Sequence, residues 1–372
     1  MPNAVEVTVA NGRRSARRTA GRGVQVGRGV ETRDDFRELF DGVVQNIERV
    51  IKGKTDVVRT VLIALLADGH VLLEDMPGTG KTMLARAIAQ SIEARQSRVQ
   101  CTPDLLPSDI TGSPVFDQNT GQFFFREGPV FANVLLVDEV NRATPKTQSA
   151  LLEAMQERRV SVDNKTYDLP RPFLVIATQN PVELAGTFPL PEAQLDRFLL
   201  KLSMGYPTLE HEADILEANS VKEAITGLTP IIDLSTVVAM MDWASGVSVS
   251  RALHLYIVGL CQETRNDSAL LVGASTRASL SLLRAARVMA ASMGRDHVIP
   301  DDVVFFVRSV LAHRLILNPD AVLRGETVEN VIDRVVARVK VGTDVPGRAG
   351  TGRAGTGRAG TAHTAGAVEA GA

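Results

Sequence analysis

Asp75-Met76-Pro77-Gly78-Thr79-Gly80-Lys81-Thr82 is a glycine-bearing loop that ends in a lysine and a hydroxyl. Glycines at 78 and 80 would let the backbone curl until successive N–H groups point inward at phosphate oxygens. A helix opening at Thr82 would add the partial positive charge of its N-terminus. Lys81 could then reach the β- and γ-phosphates of a nucleoside triphosphate, and the Thr82 hydroxyl could coordinate Mg2+. Pro77, Thr79 and Met83 complete the loop and the first helical turn around the nucleotide. Such loops usually open on glycine, but here Asp75 stands at that place. A carboxylate facing polyphosphate would be repelled, so Asp75 is expected to pack backward or cap the loop.

A second constellation is Val134-Leu135-Leu136-Val137-Asp138-Glu139, an apolar strand ending in two carboxylates. In sheets of parallel strands, ligands sit at the C-terminal strand ends. Asp138 would hold Mg2+ through its water shell, and Glu139 would polarise an attacking water. Two acids at a helix start are an ordinary capping arrangement, but beside a phosphate loop hydrolytic chemistry is the stronger expectation. Phe173–Asn180 is another buried run that turns polar at its end. Thr178 or Asn180 would hydrogen-bond the γ-phosphate or the lytic water, with Asn180 the preferred candidate. A turn-forming Asn before Pro181 is the alternative.

These residues need a sheet to hold them. The short apolar runs His70–Glu74, Arg98–Thr102, Val134–Asp138, Phe173–Thr178 and Phe198–Ser203 alternate with helical segments, one of them Thr82–Glu93. That alternation predicts an α/β fold over residues 34–207, a parallel five-stranded sheet flanked by helices. Two hairpins interrupt it: one within Thr111–Phe131, turning at Asp117–Gly121, and one at Arg159–Leu169. Tyr206-Pro207 fits a boundary. Beyond it strand signals fade, and helices at 208–225, 234–244, 250–266, 276–293, 301–316 and 327–340 predict a small all-α domain over 208–340.

Both ends read as tails. Residues 1–33 carry Arg13, Arg14, Arg17, Arg18, Arg22, Arg28 and Arg33 among glycines, either a solubilising segment or a basic arm for an acidic partner. Residues 341–372 are low-complexity, with Gly-Arg-Ala-Gly-Thr in tandem at 347–351, 352–356 and 357–361.

In the 372-residue chain, 44% hydrophobic and 23% charged content are ordinary for a globular protein, and a net charge of −2 announces no dominant nucleic-acid surface. Cys101 and Cys261 have no metal-ligand spacing and are expected to be reduced, buried thiols of a cytoplasmic protein. No apolar stretch approaches the ~20 residues of a spanning helix, and the N-terminus has no apolar core of a secretory signal.

Together these residues resemble the AAA+ superfamily and, within it, the MoxR family, over about 36–340. The most specific pieces are Asp138-Glu139-Val140-Asn141-Arg142-Ala143, the run Pro145–Glu157, and Leu190-Pro191-Glu192-Ala193-Gln194-Leu195-Asp196-Arg197-Phe198. The resemblance implies that the first hairpin is the helix-2 insert, the second precedes the sensor-1 strand, and the helical block is the lid. It implies that Asn180 is sensor 1 and that Arg197 is offered to a neighbouring subunit's nucleotide, with Arg142 a competing candidate. It implies that Arg277 is sensor 2 and that Val50-Ile51-Lys52-Gly53 lines the adenine pocket. Val50 and Ile51 would serve equally well in plain helix packing. Arg277 carries a further argument: a cation in a helix's first turn faces the unfavourable end of the dipole and is better tolerated beside an anion.

By resemblance the function is Mg-dependent ATP hydrolysis by a homo-oligomeric ring, a hexamer. The ring would act as a chaperone that remodels, matures or inserts a cofactor into a client, with a von Willebrand factor A-domain protein as partner. The alternatives are a nucleic-acid motor, favoured only by the Arg-rich tail, a nucleotide-gated scaffold, and the motor subunit of a metal chelatase.

Overall fold

The computed structural model describes residues 29–76, 78–163, 165–180, 186–217 and 227–342. Pro77 and the sequence expectations for most of the two tails and for the end of the 208–225 helix lie outside the described residues. The chain opens with α1 (Arg33–Glu48) and α2 (Thr55–Leu66), then β1 (Val71–Glu74), α3 (Lys81–Ser91), β2 (Gln96–Gln100) and α4 (Pro107–Thr111). A hairpin of β3 (Gly112–Asp117) and β4 (Gln122–Glu127) leads to β5 (Val134–Asp138) and α5 (Pro145–Glu157). A second hairpin, β6 (Arg159–Val162) and β7 (Lys165–Asp168), precedes β8 (Leu174–Gln179), α6 (Glu192–Leu195) and β9 (Leu200–Leu202). There follow α7 (Leu209–Glu217), α8 (Leu234–Ser245), α9 (Arg251–Asn266), β10 (Leu270–Val272), α10 (Thr276–Ser292), α11 (Pro300–Leu311), β11 (Ile316–Leu317), α12 (Pro319–Leu323) and α13 (Val328–Arg338).

The main sheet has five strands in the order β2-β5-β8-β1-β9, all parallel. Its central strands are apolar because both faces are covered, and alternate residues divide between them. Val71, Leu73, Val134, Leu136, Leu174 and Ile176 face one core, with α1, α2, α3 and the C-terminal helices. Leu72, Leu135, Val137, Val175 and Ala177 face the other, with Leu151, Leu152 and Met155 of α5. The first core is continuous from α1 to Val335 in α13, so the boundary at Tyr206-Pro207 separates two architectures that share one apolar interior.

Four sequence expectations are corrected. The strand expected at Arg98–Thr102 lies two residues earlier, because the ladder with β5 starts at Gln96↔Val134; β2 is the sheet edge, so its polar residues hid its start. The C-terminal block is not purely helical: β10 and β11 pair antiparallel. The helix expected over 301–316 stops at Leu311, and Arg314 turns back to the α/β layer. The N-terminal tail, expected to run through residue 33, ends in a capping box, Thr32 with Asp35, that starts α1.

Buried histidines tie the layers together. His70 accepts from the Val175 N–H at Nδ1 (3.0 Å), which leaves Nε2–H to donate to the Met155 carbonyl (3.1 Å). Burial, with Arg158 beside it, pushes its pKa well below the usual histidine value. His313 reaches the Phe198 carbonyl from Nε2 (3.2 Å), and burial with Arg314 lowers its pKa likewise.

The β3–β4 hairpin leaves the body at a crossing where only glycine fits. A Cβ on Gly112 (φ +94) would meet the Arg126 carbonyl at 2.4 Å, and one on Gly128 the Ile110 carbonyl at 2.2 Å. Phe125 near its base stacks on Tyr167 of the second hairpin, with ring centroids 4.1 Å apart.

Candidate functional site

The loop after β1 forms as its sequence predicts. Gly78 and Gly80 take positive φ (85° and 90°), and Gly80 is the left-handed N-cap of α3. The strand end, the loop and the first turn of α3 enclose a cavity of about 380 Å³ lined by Gly78, Thr79, Gly80, Lys81, Thr82 and Met83. Lys81 Nζ donates to the carbonyls of Asp75 (3.0 Å) and Met76 (3.1 Å). Asp75 points backward: its carboxylate accepts from Ser203 Oγ (2.7 Å) and from the N–H groups of Met204 (2.6 Å) and Gly205 (3.0 Å).

The acidic pair closes the other side of the cavity. Asp138 ends β5, where Thr178 Oγ1 of β8 donates to its Oδ1 (3.0 Å) and Arg98 of β2 donates from Nε to its Oδ2 (2.9 Å). Glu139 has left-handed backbone angles (φ 54°, ψ 51°), a conformation that costs roughly 1–3 kcal/mol outside glycine and gathers at functional sites. Its N–H donates to Thr178 Oγ1 (2.9 Å), and its Oε2 accepts from Gln100 Nε2 (2.9 Å) and Arg142 NH1 (3.0 Å). Two donors thus hold the carboxylate of the expected water-polarising residue. Cys101 lies just behind; burial first, then the charges of Asp138 and Glu139, push its thiol up to about 12.

Of the two candidates on β8, Thr178 bonds the acidic pair, and Asn180, 7% exposed, lines the same cavity. Arg277 and Arg197 lie elsewhere. Arg277, in the first turn of α10, is 3.5 Å from Asp196 Oδ2, so an anion of the chain itself answers the dipole, and that argument no longer calls for a phosphate. Arg197 lines a separate groove of about 680 Å³ with Ser149, Glu153, Glu157 and Arg159. Arg142 pairs with its own chain's Glu139. Val50 and Ile51 pack on the first core. Gly53 (φ +67) lies under the His211 ring, which a Cβ would meet at 2.5 Å.

Sequence reasoning missed Arg98, Gln100 and Arg314. The signal for the first two was available: alternate polar residues on a strand beside the acidic strand end must face the same edge. Arg314 carried none, since its partner Asp196 is distant in sequence.

The comparisons with known proteins agree with this geometry. The family model for ATPases associated with various cellular activities (AAA) matches residues 70–200, and that for the AAA lid domain matches 262–335. An uncharacterised Bacillus subtilis protein, YeaC, is 46% identical over 83% of this chain and 96% of its own length. Chaperone MoxR1 of Mycobacterium tuberculosis is 43% identical over 81% of each chain, and protein MoxR of Paracoccus denitrificans is 33% identical over 82% of this chain and 97% of its own. A crystal structure from Cytophaga hutchinsonii superposes with a TM-score of 0.79 at 37% identity, over 84% of this chain and 97% of that one. With the phosphate loop and acidic strand end inside the AAA match, much of the helical block inside the lid match, and MoxR relatives at 43% and 33% identity over most of the chain, this chain belongs to the MoxR family of AAA+ ATPases.

Proposed function

We propose that the chain hydrolyses Mg-ATP as a ring, a hexamer, in which Arg197 of one subunit faces the nucleotide held by the next. The observation that carries this is a division within one chain. Lys81, Thr82, Asp138, Glu139 and Asn180 surround one cavity, while Arg197 lies on another groove. A surface that offers Arg197 and a different surface that holds the nucleotide meet in a heterologous contact, which makes a ring where its rotation closes.

Thr82 and Asp138 are hard oxygen donors at the mouth of the phosphate loop and fit Mg2+, Asp138 through water. Held there with ATP, the ion supplies charge neutralisation at the phosphate oxygens. Asp138, oriented by Thr178 and Arg98, would hold the ion's water shell. Glu139, held by Gln100 and Arg142, polarises the attacking water once those donors turn away. Asn180 positions the γ-phosphate, and Arg277 leaves Asp196 for it as the lid closes. Val50, Ile51 and Gly53 border the adenine. The lid and the two hairpins then move against a client protein, a chaperone-like action in the cytoplasm with a von Willebrand factor A-domain partner.

The test is steady-state phosphate release with Mg-ATP over a range of protein concentrations, for the native chain, Glu139→Gln and Arg197→Ala. Turnover rising faster than linearly with concentration, and lost in both variants while ATP still binds, supports a shared-site ring. Binding without turnover in any assembly state replaces it with a nucleotide-gated scaffold, and strong stimulation by nucleic acid replaces the client protein with a polynucleotide.

A further inference from the structure

Resting on the nucleotide site proposed above, we infer that Asp75 is a positioning residue that carries the state of the phosphate loop into the lid. It stands where such loops have glycine, and its side chain is spent entirely on one segment. That segment, Ser203-Met204-Gly205, lies between the end of β9 and Tyr206-Pro207, directly before α7.

The carboxylate is buried, at 6% exposure for the residue, and accepts three hydrogen bonds: Ser203 Oγ and Gly205 N at Oδ1 (2.7 and 3.0 Å) and Met204 N at Oδ2 (2.6 Å). Gly205 turns the chain there at φ +61. With glycine at 75, the N–H groups of Met204 and Gly205 would lose these partners. The same residue's carbonyl holds Lys81 Nζ at 3.0 Å. Two of the three Lys81 ammonium donors are spent on the Asp75 and Met76 carbonyls, so a polyphosphate in the loop draws on the same cation that holds the Asp75 backbone. Occupation of the loop therefore pulls on the Asp75 backbone through Lys81, while the Asp75 side chain stays locked to the connector. Lys201 Nζ with Glu74 Oε2 at 2.5 Å ties β9 to the residue just before Asp75, and Lys54 Nζ, ahead of α2, holds the connector's far end through the Tyr206 carbonyl at 2.8 Å.

A merely structural anchor and a coupling residue differ in one readout. Removing an anchor loosens the connector equally with and without nucleotide. Removing a coupling residue abolishes the difference that nucleotide makes. Asp75→Asn separates them, because an amide keeps a single acceptor oxygen and turns its NH2 either toward the Met204 N–H or toward the Ser203 hydroxyl and Gly205 N–H.

The experiment is hydrogen exchange on the full chain, with and without Mg-ATPγS, followed in peptides covering 203–206 and 276–292. In the native chain the analogue should slow exchange in both by about threefold or more. In Asp75→Asn the analogue's affinity, read by displacement of a fluorescent ATP derivative, should stay within about tenfold, while the slowing at 276–292 disappears. Native slowing at 276–292 in Asp75→Asn overturns the inference, as does a native chain that binds the analogue with no change at 203–206. If Asp75→Asn does not fold, Ser203→Ala, which deletes one of the three donors, should show a reduced nucleotide effect, and an undiminished one overturns it. A native chain that shows the coupling but never releases phosphate overturns the hydrolytic function alone, and one that binds no nucleotide overturns both.

Discussion

Arg314 donates from Nε to Asp196 Oδ1 at 2.7 Å, so the residue immediately before Arg197 is clamped from the lid side. The Arg314 side chain is 2% exposed, and NH2 also donates to the Phe198 carbonyl at 2.6 Å. Asp196 is in turn approached by Ser275 Oγ (3.1 Å) and Arg277 NH1 (3.5 Å). Lid position and the setting of Arg197 are thereby joined through a single carboxylate.

Arg314→Ala should therefore be costly. It leaves Asp196 and several carbonyls without their buried cation, a loss of about 3–5 kcal/mol. Arg314→Lys should recover little of it, since one ammonium cannot replace a planar fork of donors. Urea denaturation of both variants checks this, and a cost near that of a surface arginine would refute the clamp.

Arg197 and Arg142 are separated by mixing. A subunit that lacks Lys81 cannot hold nucleotide but can still lend Arg197; a subunit that lacks Arg197 can hold nucleotide but not lend it. Mixtures of Lys81→Ala with Arg197→Ala should recover phosphate release that neither has alone, against a loss of roughly 10³–10⁵ for the arginine itself. Arg142→Ala mixed with Lys81→Ala should recover none if Arg142 serves its own chain's Glu139. Recovery with Arg142→Ala in place of Arg197→Ala reverses the assignment.

His70 and His313 make stability depend on pH in a defined direction. Both have folded-state pKa values well below that of an unfolded histidine, through burial and then the neighbouring Arg158 or Arg314. The unfolded chain thus binds protons that the folded chain refuses once pH falls below ~6.5. Stability should be level above that pH and fall below it by about 1.4 kcal/mol per pH unit for each histidine until the folded-state value is reached. Urea midpoints between pH 8 and 5 measure this, and a flat or rising profile on acidification would exclude neutral, buried imidazoles.

Cys101 should resist alkylation. With its thiol pushed up to about 12, the thiolate at pH 8 is roughly one part in 10⁴. Iodoacetamide should leave it unmodified in the folded chain and label it in urea. Burial is the first cause, so Asp138→Asn should still label slowly. Fast labelling in that variant would make the carboxylate charge the dominant cause.

How legible the site was depended on whether local pattern or long-range contact fixed each part. Gly78, Gly80 and Lys81 were readable because a glycine-to-helix turn is a local event, and Asp138 and Glu139 because an apolar strand must stop where its charges begin. Asp75 was readable by sign alone: a carboxylate at that place had to face away, and it does. The edge strand β2 was displaced by two residues because only one of its sides is paired, so Gln96 and Ser97 could be polar without penalty. The β10–β11 ribbon escaped because strands of three and two residues carry no period. The network at Asp196 joins residues distant in sequence, and no short-range pattern encodes it.

The interior shared by the sheet and the lid has a mechanical consequence. Helices that swing on a polar hinge move freely, but these are glued to Val71, Leu73 and Leu136 through one unbroken apolar mass. Any opening wets part of it, at about 25 cal/mol for each Å² exposed. The lid is thus sprung rather than hinged. Displacement stores energy in the solvent at the parted seam, and the restoring pull is strongest where the seam is driest.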